Sequence, residues 1–356
     1  MPVVPTSQVQ AGDRLATDVQ TAMGSVLLQE GRTLTARDLE ILQAFLIPNV
    51  EVRRNGLAES GEGEAADEAA AAEASLLPLH RKFLSMEKLL KWAFTQVGPG
   101  QKLPILEIRN GLRELLEPID DYNVLMFSPP FDGGQTERWI RKSVLVALTS
   151  YQLARWCKFP DKDWTAIALA GLLHDIGNVR IDSAIFRKPG RLTAEELHEM
   201  RQHTVYGFRL LEGVASLNQG VSLAALQHHE RIDGSGYPMK VTGEKIHPYA
   251  KIVAIADMYH AMTSDRHHRK AESPYLVLEQ LQSEAFGKLD PMYVQTFIDR
   301  TTQFHNGMLV QLNDNRVGEI VFTDRSQPTR PMVSVYGEII NLNKQRDLYI
   351  CAIYST

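Results

Sequence analysis

The segment AIALAGLLHDIG at residues 166–177 constrains this chain more than any other. It is apolar on every face at helical spacing, and a helix without a polar stripe is stable only when other elements surround it. The segment ends in His174 and Asp175, so an imidazole and a carboxylate are carried towards the interior. Burying such groups is costly unless each is hydrogen-bonded, paired or bound to a metal. Gly177, two residues further on, reads as the stop signal of the helix. On its own a His-Asp pair is a satisfied core histidine beside a capping aspartate. The rest of the chain changes that reading.

With 356 residues, 44% of them hydrophobic, the chain can bury a sizeable core in two or three domains. Residues 1–54 read as a small α+β accessory module, with a short apolar run VLL, a helix through TARDLEILQAFL and a strand VEVRR. Thr35 and Asp38 stand in a capping-box relationship at that helix start. The module has no His, no Cys and no glycine-rich phosphate loop, which points to interaction or sensing. Residues 55–75 form an acidic Ala/Gly-rich linker without the apolar side chains a packed fold needs. Residues 76–133 read as connecting helices. A run of helices follows over 134–303, opening with an amphipathic helix from Trp139 to Trp156 whose inward face is Ile140, Val144, Ala147, Tyr151 and Ala154. Residues 304–356 switch to short strands, MLVQL, VGEIVF, MVSVY and LYICAI, and read as a β appendage on the helical domain. The fold class is mainly α.

No apolar run approaches the ~20 residues that span a bilayer, and the N-terminal residues lack the basic-then-apolar order of a signal peptide. The expected location is the cytoplasm, with no membrane partner. Cys157 and Cys351 match no zinc or disulfide spacing. A net charge of −5 argues against a nucleic-acid surface and leaves room for a small anionic ligand held by a few local cations.

Within the helical segment potential ligands arrive in groups: His174 and Asp175, then His203, then His228 and His229, then Asp257. A single tetrahedral ion takes four protein ligands, or three and a water. Six donors suit two ions, with a carboxylate bridging them. Lacking thiolates, the set suits Fe, Mn, Zn or Ni and does not separate those four. The glycines and proline of HHERIDGSGYP, at residues 228–238, form a tight loop beside the paired histidines.

In order, HDIG, KPGRLTAEE, HHERIDGSGYP and AIADMYHAMTSDR resemble the HD-GYP family, bacterial phosphodiesterases of the HD superfamily that hydrolyse cyclic di-GMP. The likeness covers roughly residues 138–302. It implies an all-helical HD-type metal-binding domain with metal ligands at His174, Asp175, His203, His228, His229 and Asp257. Asp175 would be the bridging and catalytic carboxylate, and the two divalent ions would be Fe or Mn. It further implies that Arg266 and Arg269 grip substrate phosphate, and that cyclic di-GMP is hydrolysed to pGpG or GMP. A signalling protein would dock on an exposed loop at Gly236, Tyr237 and Pro238, and a homo-oligomer fits the same picture.

This chain departs from the family at several positions. Lys142 stands where a metal-ligating His is usual, and a protonated lysine has no lone pair to donate. Arg138 stands where members with a third metal carry a Glu. Asn178, at a catalytic position, replaces a Lys, and His260 replaces an Asp. Loss of that Lys and Asp together predicts a contact between Asn178 and His260, or else His260 as a substitute ligand. Impaired turnover is the expected consequence, and the alternative function is a weakened receptor or adaptor that binds cyclic di-GMP or a protein partner.

Overall fold

The computed structural model describes residues 3–6, 9–10, 12–20, 26–45, 47–53, 77–97, 103–129, 135–186, 188, 190–264, 271–303 and 306–354. The expected linker at 55–75 lies outside them. The chain forms two compact units, one of residues 73–304 and one of residues 1–72 with 305–356. Among the described residues no helix is long and apolar enough to cross a membrane.

The first unit is built on two packed helices, Gln135–Trp156 and Asp161–Leu173. Ile140, Val144, Ala147 and Ala154 of the expected inward face are buried, with Tyr151 half-buried. In the second helix every residue from Ile167 to Leu173 is buried, as its lack of a polar stripe demands. Each Leu or Ile removed from water there contributes roughly 1.5–3 kcal/mol. The close approach of the pair depends on Gly171, where a Cβ would stand 2.9 Å from Ser150 Oγ and from the Val146 carbonyl oxygen. A larger residue would separate the helices that carry Lys142 and His174.

Gly177 has a different role from the expected stop signal. The helix ends at Leu173 with His174 as its C-cap, and the chain continues as a short 3-10 turn, Ile176–Arg180. A Cβ on Gly177 would collide with the His203 carbonyl and the Gly207 amide. The glycine therefore serves proximity, letting the His203–Leu211 helix close against the His-Asp segment. The helix Pro248–Thr263 buries Ile252, Val253, Ile255 and Ala256 in the same core. It starts cleanly, with proline in its first turn and the His247 ring accepting the Tyr249 amide.

In the second unit the Val3–Pro5, Asn49–Arg53 and Arg14–Leu15 strands form one small sheet in that order, beside the helix Ala36–Ala44. The capping relation is present: Thr35 N–H donates to Asp38 Oδ2 at 2.9 Å and Asp38 N–H to Thr35 Oγ1 at 3.2 Å. The C-terminal strands form an antiparallel sheet ordered Ile350–Tyr354, Leu309–Leu312, Val317–Phe322, Met332–Val335, Glu338–Asn341. Glu338–Asn341 is additional to the expected strands. It follows a two-residue turn in which Tyr336 and Gly337 have φ of 51° and 87°, the mirror-image geometry that suits strand twist. Leu309 and Tyr354 of this sheet pack into the apolar cluster containing Leu42 and Val52. The tail, expected as an appendage of the helical domain, thus shares a core with the N-terminal module. Strand alternation reveals a face that needs cover without revealing what covers it.

Candidate metal centre

Four elements deliver the six expected ligands to one place. His174 and Asp175 follow the apolar helix, His203 opens the His203–Leu211 helix, His228 and His229 follow Gln219–Gln227, and Asp257 lies inside Pro248–Thr263. His229 is half-buried and the other five are buried. Their donor atoms fall into two groups sharing Asp175, each group within 4.8 Å.

Backbone carbonyls orient three of the rings. Nδ1 of His174 lies 2.7 Å from the Gly171 oxygen, that of His203 2.6 Å from Met200, and that of His228 3.0 Å from Ala225. A carbonyl only accepts, so each Nδ1 carries the proton and each Nε2 turns inward. The Nε2 atoms of His203 and His228 then face one another at 3.4 Å. In neutral rings both present lone pairs, an arrangement that a cation between them stabilises. Asp175 Oδ1 lies 3.5 Å and 3.7 Å from the same two nitrogens. Burial drives His203 down to about 4 and His229 well below the ordinary histidine value, which leaves both lone pairs free near neutral pH. Asp175, His203, His228 and His229 therefore fit a divalent ion by donor type and number.

The second group is occupied differently. Lys142 Nζ lies 2.6 Å from Asp257 Oδ1 and 2.8 Å from Asp175 Oδ2. His174 Nε2 lies 3.2 Å and 3.3 Å from those same oxygens. It is within ion-pair distance of both yet aligned for a directed hydrogen bond with neither. Desolvation opposes both cations, but the carboxylates outweigh it, holding Lys142 above the ordinary lysine value and His174 up at about 9. Burial works against the carboxylates too. His174 and Lys142 beside Asp175, and chiefly Lys142 beside Asp257, nevertheless hold both well below the usual range.

His260 joins neither group. Its Nε2 bonds Thr149 Oγ1 at 2.7 Å, and burial pushes it down to about 3. The expected contact with Asn178 is replaced by this bond, because Thr149 supplies the buried ring with a nearer partner. Asn178 lines the pocket above the ligands. Arg266 and Arg269 lie outside the described residues.

The loop expected to be exposed at Gly236, Tyr237 and Pro238 turns inward. Gly236 is buried, and a Cβ there would strike the Glu230 and Arg231 backbone. Tyr237 stacks on His229, with ring centroids 4.7 Å apart and planes 24° apart, and Arg201 lies over its ring at 5.0 Å. Glu230 pins the loop by accepting the amides of Met239, Lys240 and Val241 at 2.6, 3.0 and 3.2 Å. Those bonds compensate a carboxylate that is only 2% exposed.

Above the ligands opens a cavity of about 570 Å³, walled by Arg138, Lys188, Arg231, Trp139, Phe186 and Tyr237 among others. This is within the size range of small-molecule sites. Sequence reasoning missed Lys188, Arg231 and Glu230, although the motifs KPGRLTAEE and HHERIDGSGYP contain or adjoin all three.

Residues 122–292 match the family described as HD domain. This stretch of the helical unit is therefore similar to HD domains. Among curated relatives, the chain is similar to cyclic di-GMP phosphodiesterase PA4108 of Pseudomonas aeruginosa, at 34% identity over 54% of this chain and 47% of that protein. It is also similar to the cyclic di-GMP phosphodiesterase response regulator RpfG of Xanthomonas campestris, at 35% identity over 47% of this chain and 43% of that protein. A third relative is 3'3'-cGAMP-specific phosphodiesterase 2 of Vibrio cholerae, at 32% identity over 45% of this chain and 31% of that protein. The chain spans less than half the length of each. The matched stretch contains all six expected ligand residues and Lys142.

Proposed function

We propose that this chain is a metal-dependent phosphodiesterase for a cyclic dinucleotide, cyclic di-GMP, releasing pGpG or GMP. The observation that carries the reading is the convergence of Asp175 and three inward-facing imidazoles beneath a cation-lined cavity. Relatives named for cyclic di-GMP and for cGAMP support the cyclic dinucleotide class. A divalent ion, Fe or Mn, held by His203, His228, His229 and Asp175 would supply a water of lowered pKa and neutralise charge on the phosphodiester.

The protein's own groups do the rest. Arg138, Lys188 and Arg231 line the wall as a positive surface for phosphate oxygens, and arginine forks match two such oxygens at once. Trp139 and Phe186, with ring centroids 6.3 Å apart, offer apolar faces to a base. Lys142 gives two donors to Asp175 and Asp257, and the third of its ammonium protons is left for the cavity it lines. Asn178, at the rim, adds an uncharged donor and acceptor.

One observation favours a second reading. The ammonium of Lys142 stands among donors that elsewhere would be free for metal, which suits a receptor that binds the nucleotide without cleaving it. Its protein partner would meet Met239 and Lys240, the exposed side of the GYP loop. The test is chromatography of cyclic di-GMP incubated with the Mn- or Fe-loaded protein, beside calorimetry of nucleotide binding. The enzyme reading expects pGpG or GMP to accumulate and Asp175→Ala to abolish it. Binding without any product would replace the enzyme by the receptor.

A further inference from the structure

We propose that Lys142 is a built-in substitute for one cation of this centre, so that the folded protein holds a single divalent ion, on Asp175, His203, His228 and His229. The inference rests on the reading of this site as metal-binding, and it concerns how many ions the site takes.

The ammonium is placed on the oxygens a second ion would use. It lies 2.6 Å from Asp257 Oδ1 and 2.8 Å from Asp175 Oδ2, and His174 addresses the same two atoms. An incoming dication would have to displace a cation that is covalently tethered to the Gln135–Trp156 helix and only 18% exposed. Displacement would also leave an ammonium beside the dication with its two carboxylates taken. Among the described residues no ammonium or guanidinium is paired with the Oδ1 side, where Asp175 presents Oδ1 and His203 and His228 present Nε2 atoms 3.4 Å apart. Asp175 thus divides its oxygens, Oδ2 to the ammonium and Oδ1 to the ion. It still bridges, but between a side chain and a metal. Lys142 carries one positive charge and no coordination position, so it can hold the carboxylates in place and donate a hydrogen bond, but it cannot coordinate a water through the oxygen lone pair as a metal does.

The test uses the full chain, stripped with chelator, reloaded with excess Mn(II) and desalted, with metal counted by mass spectrometry and spin state read by electron paramagnetic resonance. One Mn per chain with the hyperfine-split signal of an isolated ion is expected. Asp257→Asn should keep that ion, and His203→Ala should lose it. Lys142→His should bind two ions with an exchange-coupled spectrum. Two ions or a coupled spectrum in the unaltered chain would overturn the proposal, as would no retained ion, or a folded Lys142→His that stays at one. Should that variant fail to fold, the unaltered chain with Asp257→Asn and His203→Ala still decides. Turnover is not among the readouts. A one-ion chain that leaves cyclic di-GMP intact defeats the enzyme reading alone, and a two-ion chain that cleaves it defeats this proposal alone.

Discussion

The two halves of the centre share Asp175 and differ in what faces it. On one side His203, His228 and His229 bring imidazoles beside Asp175, and burial keeps His203 and His229 neutral. On the other side Asp257 and Asp175 meet Lys142 and a raised His174, so that two buried carboxylates are balanced by two side-chain cations. The first half offers lone pairs; in the second, Lys142 and His174 already face the carboxylates. The difference is the basis of the proposed single-ion centre, in which a side chain that carries its own charge stands in for one ion.

The most damaging change is the one that strikes both halves. Asp175→Ala should abolish metal retention and turnover, and it also strips Lys142 and His174 of a shared partner. Mass spectrometry and a denaturant titration would then both move, and a variant that loses metal at unchanged stability would break the coupling of the halves. Lys142→Met acts on one half only. It leaves two carboxylates facing each other beside a single imidazole, and breaking a buried pair by removing one partner costs about 3–5 kcal/mol. A urea titration of the metal-free variant checks this, and added Mn(II) should recover part of the loss by supplying the missing charge. His203→Ala acts on the other half. Loss of a ligand should weaken metal binding by at least the ~10–100-fold typical of outer-shell partners, while metal-free stability changes less than in Lys142→Met. Equal losses of metal-free stability in the two variants would erase the distinction.

What could be seen in the sequence follows from what each residue's chemistry demands. His174, Asp175, His203, His228, His229 and Asp257 were legible because buried imidazoles and carboxylates need partners, and they occur in an order that few folds would produce. The apolar helix was legible for the same reason. Lys142 was visible as an anomaly, but its pairing with Asp257, 115 residues away, depends on helix crossing. His260 was weighed against Asn178, and Thr149, on another helix, took it instead. Gly177 looked like a stop because glycines often end helices, whereas here it answers to the approach of His203, a contact that local spacing does not encode. The inward turn of Tyr237 rests on Glu230 gathering three amides, and turn composition alone carries no direction. The shared core of Leu309 and Tyr354 with the first module was hidden for a like reason.

The gentlest way to separate the halves is pH, acting on the metal-free protein. His203 and His260 are lowered by burial to about 4 and about 3, below the ~6.5 of an unfolded histidine. The unfolded chain takes up those protons first, so their contribution to stability is present above pH ~6.5 and is lost as pH falls towards 4 and 3. His174 has the opposite sign. Its burial is outweighed by Asp175 and Asp257, and its value is raised to about 9. Its contribution is complete below pH ~6.5 and is lost as pH rises through 9. Each such proton gives a slope of about 1.4 kcal/mol per pH unit. Urea titrations across pH 5–9 should therefore find a maximum near the unfolded histidine value with a limb on either side. Loading Mn(II) sharpens the comparison. An ion confined to the three-histidine half leaves His174 with its carboxylates, so the alkaline limb persists in the loaded protein. An ion that also claimed Asp257 would take the proton from His174, and that limb would disappear.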